Sequence, residues 1–230
     1  MTKIRIMGAR AVHTIKTHQK IYMLSYSTHA RGTERKVIAV TVIGILAPTS
    51  SHKIETALKK MFAKNHKRVA TVRGIRTMDD ELYSLKSIGT DYCIILFQKG
   101  RIYPHYVDIL IVDNSGNDQI ITYDLIKCIS PSTRLIYNTD HQFMPLIEHP
   151  NAIDYGLSRN ATVTVSSIDP ESDGTSFVYC IQRPIRTLFD ERMEEGEVLV
   201  SSDKGDVSNL LPTVTCGLLC GIFTENAVKI

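Results

Sequence analysis

Several things are scarce in this 230-residue chain, and each scarcity excludes something. No apolar run approaches the ~18 residues of a membrane span, so no membrane partner is expected. Basic residues exceed acidic ones by only 27 to 24, a net charge of +3. That is too small a surplus to imply a nucleic-acid or membrane partner by itself. The start, Met1-Thr2-Lys3-Ile4-Arg5-Ile6, alternates polar and apolar like a strand and has no signal-peptide apolar region. The cysteines, Cys93, Cys128, Cys180, Cys216 and Cys220, are odd in number and lie mostly in apolar runs. They read as buried thiols in a reducing compartment, which gives a cytoplasmic location as the expectation. Cys216 and Cys220, four apart on an expected helix, have the spacing of half a metal site. They lack nearby histidine or acidic partners, and the buried-thiol reading is preferred. Internal repeats and low-complexity stretches are absent.

The most informative absence lies between Lys36 and Phe62. Val37–Val42 reads as a buried strand and His52–Phe62 as the helix that follows. Between them runs Ile43-Gly44-Ile45-Leu46-Ala47-Pro48-Thr49-Ser50-Ser51. Strand, loop and helix N-terminus is the layout of a phosphate-binding loop. Such a loop uses several glycines, so that backbone N–H groups wrap the phosphates, and a lysine to neutralise them. This one has a single glycine, a proline and no lysine.

What is present is an apolar fraction of 43%, ordinary for a globular core. Residues 1–36 read as a β-rich lead-in, with strands at Lys3–Met7 and Lys20–Ser27, and 37–230 as the main domain. Strands are expected at Arg68–Val72, Asp91–Phe97, Val107–Val112 and Leu135–Asn138. Helices are expected at Met78–Ile88 and Ile120–Cys128. Short apolar strands alternating with helices predict an α/β fold with a mostly parallel sheet flanked by helices. After Pro150 the pattern becomes β-rich: Ala161–Ile168 and Thr175–Gln182 alternate around an Asp173-Gly174 turn, as in a hairpin. Val198–Ser201 adds a strand, and Leu210–Phe223 a final helix. The acidic run Asp190–Glu197 reads as a solvated turn.

Three constellations bear on chemistry. Asp113-Asn114-Ser115-Gly116-Asn117-Asp118-Gln119 follows an expected parallel strand, where α/β folds bind ligands; it also reads as a plain turn, with Asp118 as N-cap. Asn138-Thr139-Asp140-His141 follows the next strand, with His141 a general acid or base lacking an assignable partner. Lys53, Lys59, Lys60, Lys64, Lys67, Arg68, Arg73 and Arg76 make residues 53–76 locally basic. That suits either a solvated face or an anionic partner. With little aromatic interleaving, nucleic acid is not the expected one.

Taken in order, these segments resemble the Mur ligase family, ATP-dependent ligases that join amino acids onto peptidoglycan precursors. The likeness is to the central, P-loop-NTPase-like ATP-binding domain, over roughly residues 36–224. Val37–Thr41 is similar to the strand before the family's phosphate loop. Asp108–Gln119 resembles its strand ending in Thr-Asn-Ile-Gly-x-Asp-His, and Leu135–Asp140 its Asn-Ala-Asp-Asp segment. Asp154–Ala161 resembles its Tyr-Gly-Leu stretch, Asp173–Phe177 its hairpin turn, and Asp206–Leu210 its His-Asn-x-x-Asn-Ala.

The resemblance implies an acyl-phosphate reaction using ATP and magnesium. It places nucleotide-site remnants at Gly44, Thr49, Asn114, Asp118, Asn138 and Asp140. It also implies three losses. Aligned on Gly44, the loop Gly-Thr-x-Gly-Lys-Thr/Ser puts Ala47 at its second glycine and Pro48 at its lysine. The metal-binding glutamate falls at Leu96, and a histidine falls at Gln119. The expectation is a degenerate Mur-ligase-like domain without ligase activity and with no cofactor, a binding or interaction module for a protein partner or a second copy. The alternative is one subunit of a split ATP- and magnesium-dependent amide ligase of cell-wall precursor synthesis, with Lys53 replacing the lost lysine. Ile45, Leu46 and Pro48 are expected to fill the space of the phosphates.

Overall fold

A computed structural model describes residues 12–17, 20–25, 40–47, 49–73, 78–97, 107–113, 129–140, 149–171, 174–202, 206–222 and 227–229. The chain forms two compact units, Met1–Val37 and Ile38–Ile230. In the first, β1 (Val12–Thr17) and β2 (Lys20–Ser25) pair antiparallel, Val12 opposite Ser25. β2 matches the strand expected at Lys20–Ser27. β1 was not anticipated, and Lys3–Met7 lies outside the described residues.

The second unit begins with β3 (Thr41–Leu46), α1 (Ser51–Lys64), β4 (Val69–Arg73), α2 (Met78–Ser87), β5 (Tyr92–Leu96), β6 (Ile109–Val112) and β7 (Arg134–Asn138). It continues with β8 (Ala152–Tyr155), β9 (Val163–Glu171), β10 (Gly174–Ile181), β11 (Ile185–Arg186), β12 (Arg192–Met193), β13 (Gly196–Ser202), α3 (Val207–Leu219) and β14 (Ala227–Lys229). Ten strands make one sheet in the order β14-β13-β10-β9-β8-β7-β6-β3-β5-β4. Every pairing from β4 to β9 is parallel. The expected mostly parallel sheet is therefore present. The β-rich segment of the C-terminal third is its antiparallel continuation, β9 against β10 and β10 against β13.

The central strands are apolar on both faces, as a sheet covered by helices on both sides requires. Ile43 and Ile45 of β3, Ile94, Ile109, Ile111 and Ile136 pack on one face. That face meets Ile54, Leu58, Met61 and Phe62, which recur at helical spacing on one side of α1, and Leu210, Val214 and Leu218 of α3. Phe62 stacks on Tyr92 with ring centroids 4.1 Å apart. On the other face, Val42, Leu46, Cys93, Ile95, Leu110, Val112 and Leu135 form a second core, with Leu82 and Leu85 of α2 against it.

Two readings around the first loop change. The strand expected at Val37–Val42 is observed at Thr41–Leu46, so Ile43–Leu46 is strand and the connection begins at Ala47. Ile45 and Leu46 lie in the two opposite cores and fill no phosphate cradle; Pro48 is outside the described residues. The acidic run at 190–197 is exposed, yet it carries β12 and the start of β13 and is more than a turn. The short strands β8, β11, β12 and β14 were not anticipated. The helix expected at Ile120–Cys128 lies outside the described residues.

Candidate functional site

The carboxyl ends of the parallel strands converge where α/β folds place ligands. The ladder fixes the neighbours: Phe97 donates its backbone N–H to the Ile45 carbonyl at 2.9 Å, and Asp113 donates its own to the Leu46 carbonyl at 3.1 Å. This puts Asp113 beside the exit of β3. Ser50, the N-cap of α1, does not cap with its side chain. Its hydroxyl donates instead to Asp113 Oδ2. Asn138, at the end of β7, donates its amide N–H to Asp113 Oδ1 at 3.2 Å. Ser50, Asp113 and Asn138 are all buried, so these bonds form in a low-dielectric setting where each polar group needs a partner. The carboxylate also meets a helix N-terminus, where negative charge is favoured.

The connection itself is wound. Ser51 donates its N–H to the Ala47 carbonyl at 3.0 Å, an α-helical span, and Lys53 and Ile54 both donate to the Ser50 carbonyl. No acidic residue lies in the first turn of α1.

A second set of bonds extends the network to β8. Asn138 Oδ1 accepts the Asp140 N–H at 2.9 Å. The Asp140 carboxylate then accepts the N–H groups of Leu157 (2.9 and 2.8 Å) and Ser158 (3.3 Å). Gly156 leaves the room this carboxylate occupies, because a Cβ there would push it aside. Tyr155, opposite Asn138 in the ladder, is 1% exposed. Its hydroxyl lies beside the Asn138 side chain without a well-aligned hydrogen bond. Burial first, then the Asp113 charge, pushes this phenol well above its ordinary range, while the Asn138 side chain pulls the other way.

Of the six residues picked from sequence, Asn138 and Asp140 sit together in this network. Thr49 is exposed on the turn before α1. Asn114 and Asp118 lie outside the described residues, as do Gln119 and His141. Gly44 is in the middle of β3, under Phe97, Leu110 and Val107, and belongs to the core rather than to a loop. Leu96 ends β5 and packs half-buried against the first core. Sequence reasoning passed over Ser50 and took Asp113 only as the first residue of the 113–119 segment, without assigning it a role. The signal available was an aspartate directly after an all-apolar strand.

The basic segment is partly self-neutralised. Glu55 of α1, its side chain 5% exposed, takes Lys59 at 2.6 Å, His52 at 3.3 Å and Arg73 at 3.5 Å, and accepts the Thr71 hydroxyl at 3.0 Å. Burial alone would raise this carboxyl, but the donors led by Lys59 and Thr71 hold it below the ordinary range. The Arg68 guanidinium donates to the Ile88 carbonyl at 3.0 Å. Cys216 and Cys220 are buried on the inner side of α3, and burial followed by the neighbouring Cys220 raises the Cys216 thiol.

Among the described residues, no group of three or more His, Cys, Asp or Glu could hold a metal. The Ser50 hydroxyl with the Asp113 carboxylate is still a donor pair compatible with magnesium, which needs few protein ligands when phosphates supply the rest. Among the described residues, no helix is long and apolar enough to cross a membrane.

No family model matches the chain, and no curated protein matches it. Solved structures do. A UDP-N-acetylmuramoyl-L-alanyl-D-glutamate–2,6-diaminopimelate ligase superposes with a TM-score of 0.58 at 13% identity, covering 80% of this chain and 44% of its own. MurF from Acinetobacter baumannii superposes with a TM-score of 0.58 at 14% identity, over 80% of this chain and 44% of its own. A UDP-N-acetylmuramoylalanyl-D-glutamyl-2,6-diaminopimelate–D-alanyl-D-alanyl ligase from the same organism gives 0.58 and 14%, over 80% and 43%. The chain has the fold seen in Mur ligases and spans less than half the length of the ligases it matches.

Proposed function

We propose that this is a Mur-ligase-like domain that no longer runs ATP-dependent ligation and works as a binding or interaction module, for a protein partner or a second copy. One observation carries the reading. The polar groups at the carboxyl end of β3 and β6 are spent on one another: Ser50 and Asn138 both donate to Asp113. The sequence around them points the same way. With β3 ending at Leu46, the motif Gly-Thr-x-Gly-Lys-Thr/Ser falls on Ala47-Pro48-Thr49-Ser50-Ser51-His52, which supplies neither glycine nor lysine. Proline at the second position has no N–H to offer. A phosphate entering here would approach the buried Asp113 carboxylate, like charge to like charge, and the motif's lysine position is held by Ser51. Isothermal calorimetry of the full chain with millimolar ATP and magnesium should give no binding heat. Micromolar, magnesium-dependent binding overturns the proposal.

The second reading, one subunit of a split amide ligase, is favoured by the same Ser50–Asp113 pair. In P-loop NTPases a loop hydroxyl and a strand-end aspartate together hold magnesium. Lys53, exposed in the first turn of α1, is the nearest basic residue along the chain. On this reading a partner restores ATP turnover, and Lys53→Ala abolishes it. Turnover unaffected by that change removes Lys53 from the reading.

A further inference from the structure

Two segments of this chain carry opposite charge. Between Glu55 and Asp79 there are seven lysines and arginines and no acidic residue; between Thr187 and Leu199 there are five acidic residues and one arginine. Part of the basic segment is already used. Lys59 and Arg73 are tied to Glu55, and the Arg68 guanidinium to the Ile88 carbonyl. Lys64 is the cation of the last turn of α1, where the helix dipole favours one. Lys60 and Lys67 are left over. Both are exposed, and neither has an ion pair among the described residues. Ile88, beside Arg68, is 67% exposed.

The acidic segment is used in the same partial way. Asp190 is paired with Arg134 and Glu194 with Arg192. Glu195 and Glu197 are exposed and have no ion pair among the described residues. Their charge reaches the Cys180 thiol, which burial first, then Glu197 and Glu195, push up. Phe189, in the turn between β11 and β12, is 66% exposed. An aromatic ring left in water beside a charged patch is a residue type that anchors interfaces.

Within one chain the leftover charges do not meet. Glu197 lies on β13, six strands from β3 and eight from β4, roughly 29–38 Å along the sheet at ~4.8 Å per strand. Lys60 lies on α1, which packs over β3, and Lys67 on the connection into β4. Screening at physiological salt acts over about 8 Å.

We propose that the two patches pair between copies of this chain, Lys60 and Lys67 of one molecule facing Glu195 and Glu197 of another. A second copy offers what each patch lacks: the opposite charge, and an exposed apolar side chain beside it. Complementary fields of this kind set partner choice and register more than affinity, so the association is weak and salt-sensitive. The proposal rests on the reading of this chain as an interaction module and names its partner. Nucleotide binding is read by calorimetry and pairing by sedimentation, so the failure of one is distinguishable from the failure of the other.

The test is sedimentation velocity of the full chain from about 10 to about 300 µM, in about 50 mM and about 500 mM sodium chloride. The sedimentation coefficient should rise with concentration at low salt, and the association should weaken by about tenfold or more at high salt. The double variants Lys60→Glu with Lys67→Glu, and Glu195→Lys with Glu197→Lys, should each stay monomeric at low salt. Mixed in equal amounts they should associate again, because each now carries the charge the other needs. If a variant does not fold, the salt dependence of the unchanged chain decides. A monomer at every concentration, an association indifferent to salt or to either reversal, or a mixture that stays monomeric overturns the proposal.

Discussion

Gly44→Ala separates a packing glycine from a loop glycine. Gly44 lies within β3, and a Cβ there would sit 2.5 Å from Phe97 Cε2 and 3.0 Å from both Leu110 Cδ1 and Val107 Cγ1. All three neighbours are buried, Leu110 completely, so none can swing into solvent. Forcing one methyl into a filled core costs about 1–3 kcal/mol. Replacing a mid-strand glycine returns roughly 0.5–1 kcal/mol through the unfolded chain. The net loss is centred on about 1 kcal/mol, a fall of roughly 2–4 °C in Tm for a chain of this size. Thermal melting followed by circular dichroism measures it. Because the worst contact is with the Phe97 ring, Phe97→Leu in the same chain should recover part of the loss, a non-additive pair. An unchanged or raised Tm in Gly44→Ala refutes the packing argument, as does strict additivity with Phe97→Leu.

Other outcomes follow from the same geometry. Ser50→Ala removes a donor from the buried Asp113 carboxylate and should destabilise by about 1–3 kcal/mol in urea unfolding. Gly156→Ala should push the Asp140 carboxylate off its partners, so that Leu157 and Ser158 exchange their amide hydrogens faster while the core strands do not. Glu55, held below its ordinary value of 4.5, contributes stability that is fully present above that value and lost as pH falls through the lowered one. Acid melting between about pH 6 and about pH 3 should therefore cost the unchanged protein more Tm than it costs Glu55→Gln.

How much was legible in the sequence differed by level. Continuous apolar runs such as Cys93–Leu96 and Ile109–Val112 announce strands covered on both faces, and β5, β6 and β7 fall close to where those runs place them. The run from Val37 to Ala47 misled because it is apolar but for Thr41 and Gly44. Nothing in its composition marks where within it the six paired residues lie, and Gly44 was taken for a turn when it marks a close approach of the Phe97 ring. β8 and β14 are four and three residues long, too short for a period to register. The site was less legible still. Asn138 and Asp140 were picked from the family resemblance of Leu135–Asp140, while the group they serve, Asp113, stood in a segment read both as a ligand-binding strand end and as a plain turn, and was not singled out. Its pairing with Ser50 joins residues 63 positions apart, which no local pattern encodes.

The central proposal is that the Ser50–Asp113–Asn138 cluster, beside a connection with no glycine or lysine, no longer binds nucleotide. A crystal of the full chain soaked in ATP and magnesium tests it most directly. The account predicts the Ser50–Asp113 and Asn138–Asp113 hydrogen bonds intact and no nucleotide at the carboxyl ends of β3 and β6. Phosphate oxygens against the first N–H groups of α1, with a magnesium ion between Ser50 and Asp113, would contradict it.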